Sequence, residues 1–190
     1  MGCAGTGNHI FNLSPPKSYE DYLIAFNSCT GKGAINSEGS LKGKLPFNFR
    51  SQRDSTFLEF SDMIGRKALF VWITNNSITA RNLIDNKQYK YDEVTELLPI
   101  LKVLEPKDIT KIIWGVQPNY KERFKNVPQS VKKSISLDFQ RENNNNERQA
   151  LVGVSFNDKN LENSIDIDIY TRKRSAKIIN MKKVWRLLKY

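Results

Sequence analysis

Catalytic, metal and phosphate chemistry each need particular residue types at particular spacings, and this chain supplies few of them. Its single histidine is His9 and its two cysteines are Cys3 and Cys29. A Ser-His-Asp or Cys-His set needs its imidazole held against a nucleophile. Zinc needs a cluster of N and S ligands. His9 and Cys3, both in a small-residue N-terminal stretch, offer neither. Two cysteines make no disulfide framework either, and Cys29, in FNSCTGKG, reads as a small buried hydrophobe. Asp166 and Asp168 in SIDIDIY fall on one face of a strand pattern, where paired carboxylates could move a proton or hold a cation. Their alternation with Ile165, Ile167 and Ile169 fits a solvated strand face better. GCAGTG opens no strand-loop-helix unit. CTGKGA has Gly rather than Ser or Thr after its Lys, so neither is a phosphate loop. The residues point away from an enzyme and ask for no metal or cofactor.

What the chain does supply is apolar surface. Phe47, Phe49, Phe57, Phe60, Phe70 and Trp72 crowd a short run of strands. They would make an ordinary core, or they would line a cleft between sheet and helices sized for acyl chains, with Ile109 and Ile113 on the helical side. SDMIGRK (61–67) adds a second oddity. Turn tips usually avoid large apolar residues, yet Met63 and Ile64 sit beside Gly65, Arg66 and Lys67. Such a tip can fold back onto its sheet, or it can press into a lipid interface while the cations stay at the headgroups.

The elements that must position these residues follow from period and punctuation. The 190 residues are 39% apolar and 11% aromatic, which suits a globular chain with a real core. No stretch is long and apolar enough to span a bilayer as a helix. Residues 1–16 read as a flexible tether and 17–190 as one domain. Ser18, with Asp21 three residues on, predicts an N-cap and a helix over Ser18–Cys29. Gly31, Gly33 and Ser37-Glu38-Gly39 then read as turn signals. Leu45, Phe47 and Phe49 alternate as a strand, with Pro46 pushing it towards an edge or a bulge. STFLEFSD, RKALFVWIT and NNSITARNLID continue the strands. Two short helices follow, the second opened by Pro106 and closed at Gly115. KSISLDF, ALVGVSF and SIDIDIY return to strands, with RENNNNERQ as a polar tip. About eight to ten antiparallel strands with a helical insert make the fold mainly β, of the α+β type.

Formal charge is +10, from 30 Lys and Arg against 20 Asp and Glu. A basic surface can meet nucleic acid, anionic lipid or an acidic partner. Here the charges are scattered. The densest cluster, TRKRSAK (171–177), fits a solvated or lipid-facing rim better than a nucleic-acid groove.

Taken in order, these pieces resemble the LolA/LolB lipoprotein-carrier family of Gram-negative bacteria. The likeness rests on a Cys near the N-terminus before a tether and first helix, a glycine-flanked first strand TGKGAI, and the apolar-Gly turn MIGRK. It continues through NSITARNLIDNKQYKYDEVTELL, the Pro-opened EPKDITKIIWGVQP and closing strands ending in IINMKKVWRLLK. It covers residues 18–190. The more basic helical insert and the Asn-rich tip at 143–146 depart from the family pattern. The resemblance implies a single open, incomplete antiparallel β-barrel, with a few short helices as a lid over an apolar cavity that takes lipoprotein acyl chains. It implies Cys3 as the lipidated residue and Ile64, helped by Met63, as a membrane-insertion tip. The expected donor is a periplasmic lipoprotein carrier, and the expected place is the periplasmic face of the outer membrane. Met-Gly-x-x-x-Thr at the N-terminus also fits myristoylation, but the body of the chain favours the bacterial reading. Two alternatives share the surface logic: an anchored module for a free lipid or glycolipid, and a basic scaffold for anionic lipid surfaces.

Overall fold

Ser18 opens the first element of the computed structural model, which describes residues 18–39, 42–97, 99–142 and 150–186. Its hydroxyl accepts from Asp21 N at 3.1 Å while the Asp21 carboxylate accepts from Ser18 N at 2.9 Å, closing a capping box. Helix α1 (Tyr19–Ala25) buries Tyr19 and Tyr22 and stops at Phe26, which is extended. The expected helix over Ser18–Cys29 is therefore too long. Ser28 and Cys29 already belong to the first strand, where side chains alternate between faces.

Among the described residues nine strands follow: β1 (Ser28–Glu38), β2 (Gly43–Gln52), β3 (Ser55–Ser61), β4 (Lys67–Ile73), β5 (Ile78–Asn82), β6 (Lys87–Tyr89), β7 (Ile135–Glu142), β8 (Ala150–Asp158) and β9 (Asn163–Ser175). They form one antiparallel sheet in the order β6-β5-β4-β3-β2-β1-β9-β8-β7. The sheet is open, with β6 and β7 at its edges. The mainly-β expectation thus holds as one large open antiparallel sheet carrying short helices. The tether over residues 1–16 and the tip over 143–146 lie outside the described residues.

Gly31 and Gly33 are not turn residues. They sit inside β1, opposite Phe49 and Phe47 of β2. A Cβ on Gly33 would meet the Asp168 carbonyl oxygen and lie 2.6 Å from Phe47 Cζ. On Gly31 it would meet the Thr171 carbonyl oxygen and lie 2.5 Å from Phe49 Cζ. The two glycines let the phenyl rings lie across the neighbouring strand. Pro46 is tolerated in an inner strand because the β2–β3 ladder starts only at Phe47, opposite Phe60.

The mid-chain insert supplies α2 (Tyr91–Leu97), a 3₁₀ turn over Pro99–Lys102, α3 (Pro106–Trp114), α4 (Lys121–Lys125) and α5 (Gln129–Ser134). The last two went unread in the sequence: α4 buries none of its residues and so shows no apolar stripe, and α5 (QSVKKS) has a single large apolar residue. Helix α3 begins at Pro106 and ends at Gly115, whose φ of 90° is left-handed. Its Ile109, Ile112, Ile113 and Trp114 are buried in the main core. There they join Phe47, Phe49, Leu58, Phe60, Val154, Phe156 and the Ile165–Ile167–Ile169 row of β9.

The other face of the sheet carries a second, smaller cluster. Phe57, Phe70 and Trp72 pack with Val184 of α6 (Met181–Trp185), flanked by Leu83, Ile179, Met181 and Trp185. The closing segment was expected to be strand. Asn180 instead caps a helix, its Oδ1 accepting from Lys183 N at 3.1 Å, and Trp185 meets Trp72 edge-on at 4.8 Å.

Candidate membrane-contact site

The β3–β4 turn is built around Asp62. Its Oδ1 accepts from Ile64 N at 3.1 Å and from Arg66 N at 2.9 Å, and its Oδ2 accepts from Arg66 Nε at 2.8 Å. Asp62 N donates to Arg66 O and Gly65 N donates to Asp62 O. Gly65, at φ 82°, takes the left-handed position. The side-chain hydrogen bond from Arg66 holds the Asp62 carboxyl below its ordinary range. This network leaves Met63 96% and Ile64 74% exposed. The turn does not fold back onto the sheet. Arg66 and Lys67 flank it, Lys67 reaching Glu59 at 3.1 Å. The turn thus presents two exposed apolar side chains with two cationic residues beside them.

The eight residues expected to line one cavity do not share one face. Phe47, Phe49, Phe60, Ile109 and Ile113 meet in the main core between sheet and helices. Phe57, Phe70 and Trp72 point the other way, into the cluster under α6. Alternation settles the matter: Phe57 lies between Thr56 and Leu58, and Phe70 and Trp72 flank Val71. In β3 the odd spacing of Phe57 and Phe60 already parts the two rings, whereas β4, apolar on both faces, does not say by itself which of its faces meets the main core. Cys29 is buried, with Sγ 4.0 Å from Ile113 O. Cys3, the expected lipidation site, lies outside the described residues.

Sequence reasoning missed the polar groups that hold α3. Trp114 Nε1 donates to Ser51 Oγ at 2.7 Å; Ser51 Oγ is 2.7 Å from Thr56 Oγ1, itself 3.1 Å from Thr110 Oγ1. This buried hydroxyl chain satisfies polar atoms on β2, β3 and α3 together. The basic cluster of β9 serves the same helix. Arg172 Nε donates to Ile113 O at 2.8 Å, and its Nη2 donates to Leu151 O at 2.8 Å and to Ile112 O at 3.3 Å. Arg174 Nη2 donates to Trp114 O, and its guanidinium lies 3.9 Å over the Tyr22 ring. Cationic groups at these C-terminal carbonyls oppose the negative end of the helix dipole. A bulge explains why they face inward. Lys32 pairs with Thr171 but Gly33 pairs with Ile169, so Tyr170 is the extra residue and the parity flips. Ile165, Ile167 and Ile169 face the core before it; Arg172 and Arg174 do so after it.

Asp166 and Asp168 lie on the opposite side of β9 from its three isoleucines, and Asp168 Oδ2 accepts from Asn36 Nδ2 at 3.1 Å. Among the described residues no group of His, Cys, Asp and Glu could hold a metal ion, and no helix is long and apolar enough to cross a membrane. Compared with known proteins, the chain matches no protein-family model and no curated sequence.

Proposed function

We propose that the protein is a lipid-anchored, non-enzymatic carrier or receptor that accepts the acyl chains of lipoproteins and helps insert them into a membrane. The observation that carries this reading is the β3–β4 tip: the turn that presents Met63 and Ile64 to solvent is braced by hydrogen bonds from Ile64 N and Arg66 N to the Asp62 carboxylate. A soluble protein gains nothing in stability from two exposed apolar side chains at a braced turn, whereas a membrane-docking protein uses them. The helical insert over one face of an open sheet adds support. In this reading the sheet curves into a half-barrel, the helices form its lid, and the acyl chains lie between Phe47, Phe49 and Phe60 on one side and Ile109 and Ile113 on the other. Cys3 carries the anchor and the site of action is the periplasmic face of the outer membrane. Internal use of Arg172 and Arg174 counts against the basic-scaffold alternative, because two cations of its proposed binding cluster serve α3 instead.

Transfer needs no cofactor. It needs an acyl site that outcompetes the donor and loses to the bilayer. Ile64→Glu tests the reading in a reconstituted assay with an acylated lipoprotein and liposomes. The melting temperature stays that of the parent, and delivery falls about tenfold or more, the order expected from losing an apolar insertion and adding a charge. Unchanged delivery would overturn the insertion role of Ile64.

A further inference from the structure

The β5–β6 turn repeats the design of the β3–β4 turn. Asn82 Oδ1 accepts from Ile84 N at 2.8 Å and from Asp85 N at 3.2 Å, as Asp62 Oδ1 accepts from Ile64 N and Arg66 N. In both, an isoleucine follows two residues after the Asx that braces it. Asn82 Nδ2 holds Asp85 Oδ2 at 2.9 Å, and Arg81 Nη2 holds Asn86 Oδ1 at 2.8 Å. Leu83 turns inward to the second cluster, while Ile84 is left 69% exposed.

Topology puts the two turns side by side. Phe60 pairs with Leu69, Leu69 with Asn82, and Asn82 with Lys87, so β3, β4, β5 and β6 reach one row together. Neighbouring hairpins are two strand spacings apart, about 10 Å. The β3–β4 pairing runs on to Ser61 and Lys67, so its tip reaches further along the strands by about two residues, roughly 7 Å.

We infer that Ile84 is a second membrane contact, inserting beside Ile64 so that this end of the sheet docks on an anionic bilayer through two adjacent hairpins. The inference rests on the carrier reading for its biological purpose, but the surface itself stands on the geometry. Two separate apolar tips with charged residues between them suit a fluid bilayer, which takes each tip singly. A protein partner would ask for a continuous apolar patch. The charge distribution agrees. Arg66 is paired with Asp62 and Lys67 with Glu59, so the two hairpins carry the cations Arg66, Lys67, Arg81 and Lys87 against the carboxylates Glu59, Asp62 and Asp85, an excess of one positive charge, and Arg66, Lys67 and Lys87 stay exposed at the flanks. Their aliphatic stems can lie along the interface with the charged heads among lipid phosphates.

The test uses the full chain with Cys3→Ser, so that no anchor holds it, and vesicles of phosphatidylethanolamine and phosphatidylglycerol in a flotation assay without cargo. Ile84→Glu should lower vesicle partition about fivefold or more, with Ile64→Glu costing more because its turn leads. Ile24→Glu is the control: Ile24 is 86% exposed but sits in α1, which leads into the opposite end of β1. Equal loss from Ile24→Glu and Ile84→Glu, or parent-like binding by Ile84→Glu, overturns the inference. If Ile64→Glu alone loses binding, the first tip stands and the second fails. If neither variant loses binding, the insertion reading fails with it. As an independent measurement, a fluorophore on Ile84→Cys in the same background should be quenched by lipids brominated near the headgroup. An unquenched probe on bound protein refutes the second contact.

Discussion

Arg172→Met removes a guanidinium from the last turn of α3 while keeping most of its stem. Three carbonyls lose a donor: Ile113 O, Leu151 O and the longer contact to Ile112 O. A hydrogen bond from a charged group contributes about 1.5–3 kcal/mol, and a cation at a helix C-terminus about 0.3–1 kcal/mol more. The bonds share one group and do not add fully, so the expected loss is about 3–5 kcal/mol. For a chain of this size that lowers Tm by roughly 6–20 °C. Urea denaturation gives the free energy and calorimetry the Tm. Lys173→Met is the matched control: Lys173 is exposed on the alternate face, and its loss should stay within about 0.5 kcal/mol. Hydrogen exchange adds the location, with the amides of α3 in Arg172→Met gaining exchange ahead of those of β3. A loss below about 1 kcal/mol, or an equal effect from Lys173→Met, would refute the claim that β9 anchors the helix through its arginines.

Gly33→Ala should destabilise the fold, although alanine in a strand is normally the better residue. The added Cβ meets the Asp168 carbonyl and the Phe47 ring, and forcing backbone aside costs about 2–3 kcal/mol, read as a lower urea midpoint. The Asp62 turn should respond to acid with a defined sign. Because Arg66 lowers the folded carboxyl, the bracing is complete above the ordinary carboxylate range and is lost as pH falls through the lower folded value. The Ile64 and Arg66 amide resonances should report that loss at a pH below the titration of an unpaired aspartate. Asp62→Asn should shift them at neutral pH without unfolding the protein.

Much of the fold was legible because its signals are local. Ser18 with Asp21, Pro106 with Gly115, and the alternation of β9 each specify their element within a few residues, and each element formed. The failures came where distant residues decide. The rings of Phe57, Phe70 and Trp72 sit in strands apolar on both faces, so only the arrival of α6 from the far end of the chain tells which face they fill. Gly31 and Gly33 look like turn residues until β2 brings two phenyl rings over them. Arg172 and Arg174 look like surface charge until the bulge at Tyr170 turns them inward. The tip at Met63 and Ile64 was visible as an oddity of composition. Its exposure depends on hydrogen bonds that spacing alone does not reveal, and the matching turn at Ile84 went unnoticed for the same reason.

The same geometry constrains how a carrier of this build would admit an acyl chain. Helix α3 is the worst candidate to move, since Ser51, Thr56, Arg172 and Arg174 all hold it and Cys29 packs beneath it. Displacing it would strip several buried polar groups of partners at once, each a substantial cost in an apolar interior. Helix α4 is held differently. It buries no residue, but Arg123 pairs with Asp108 and, at 3.6 Å, with Glu105, Lys132 Nζ donates to Lys125 O at 2.6 Å, and the Tyr120 ring at its cap meets Phe139 at 5.6 Å. Ring contacts can be exchanged for other apolar contacts at little net cost, because apolar packing is non-directional, but parting Arg123 from the buried Asp108 would strand a carboxylate and cost far more. Among the described helices α3 is thus the fixed wall, and α4, next to the sheet edge at β7, is the less buried neighbour whose hold rests on the Arg123–Asp108 pair.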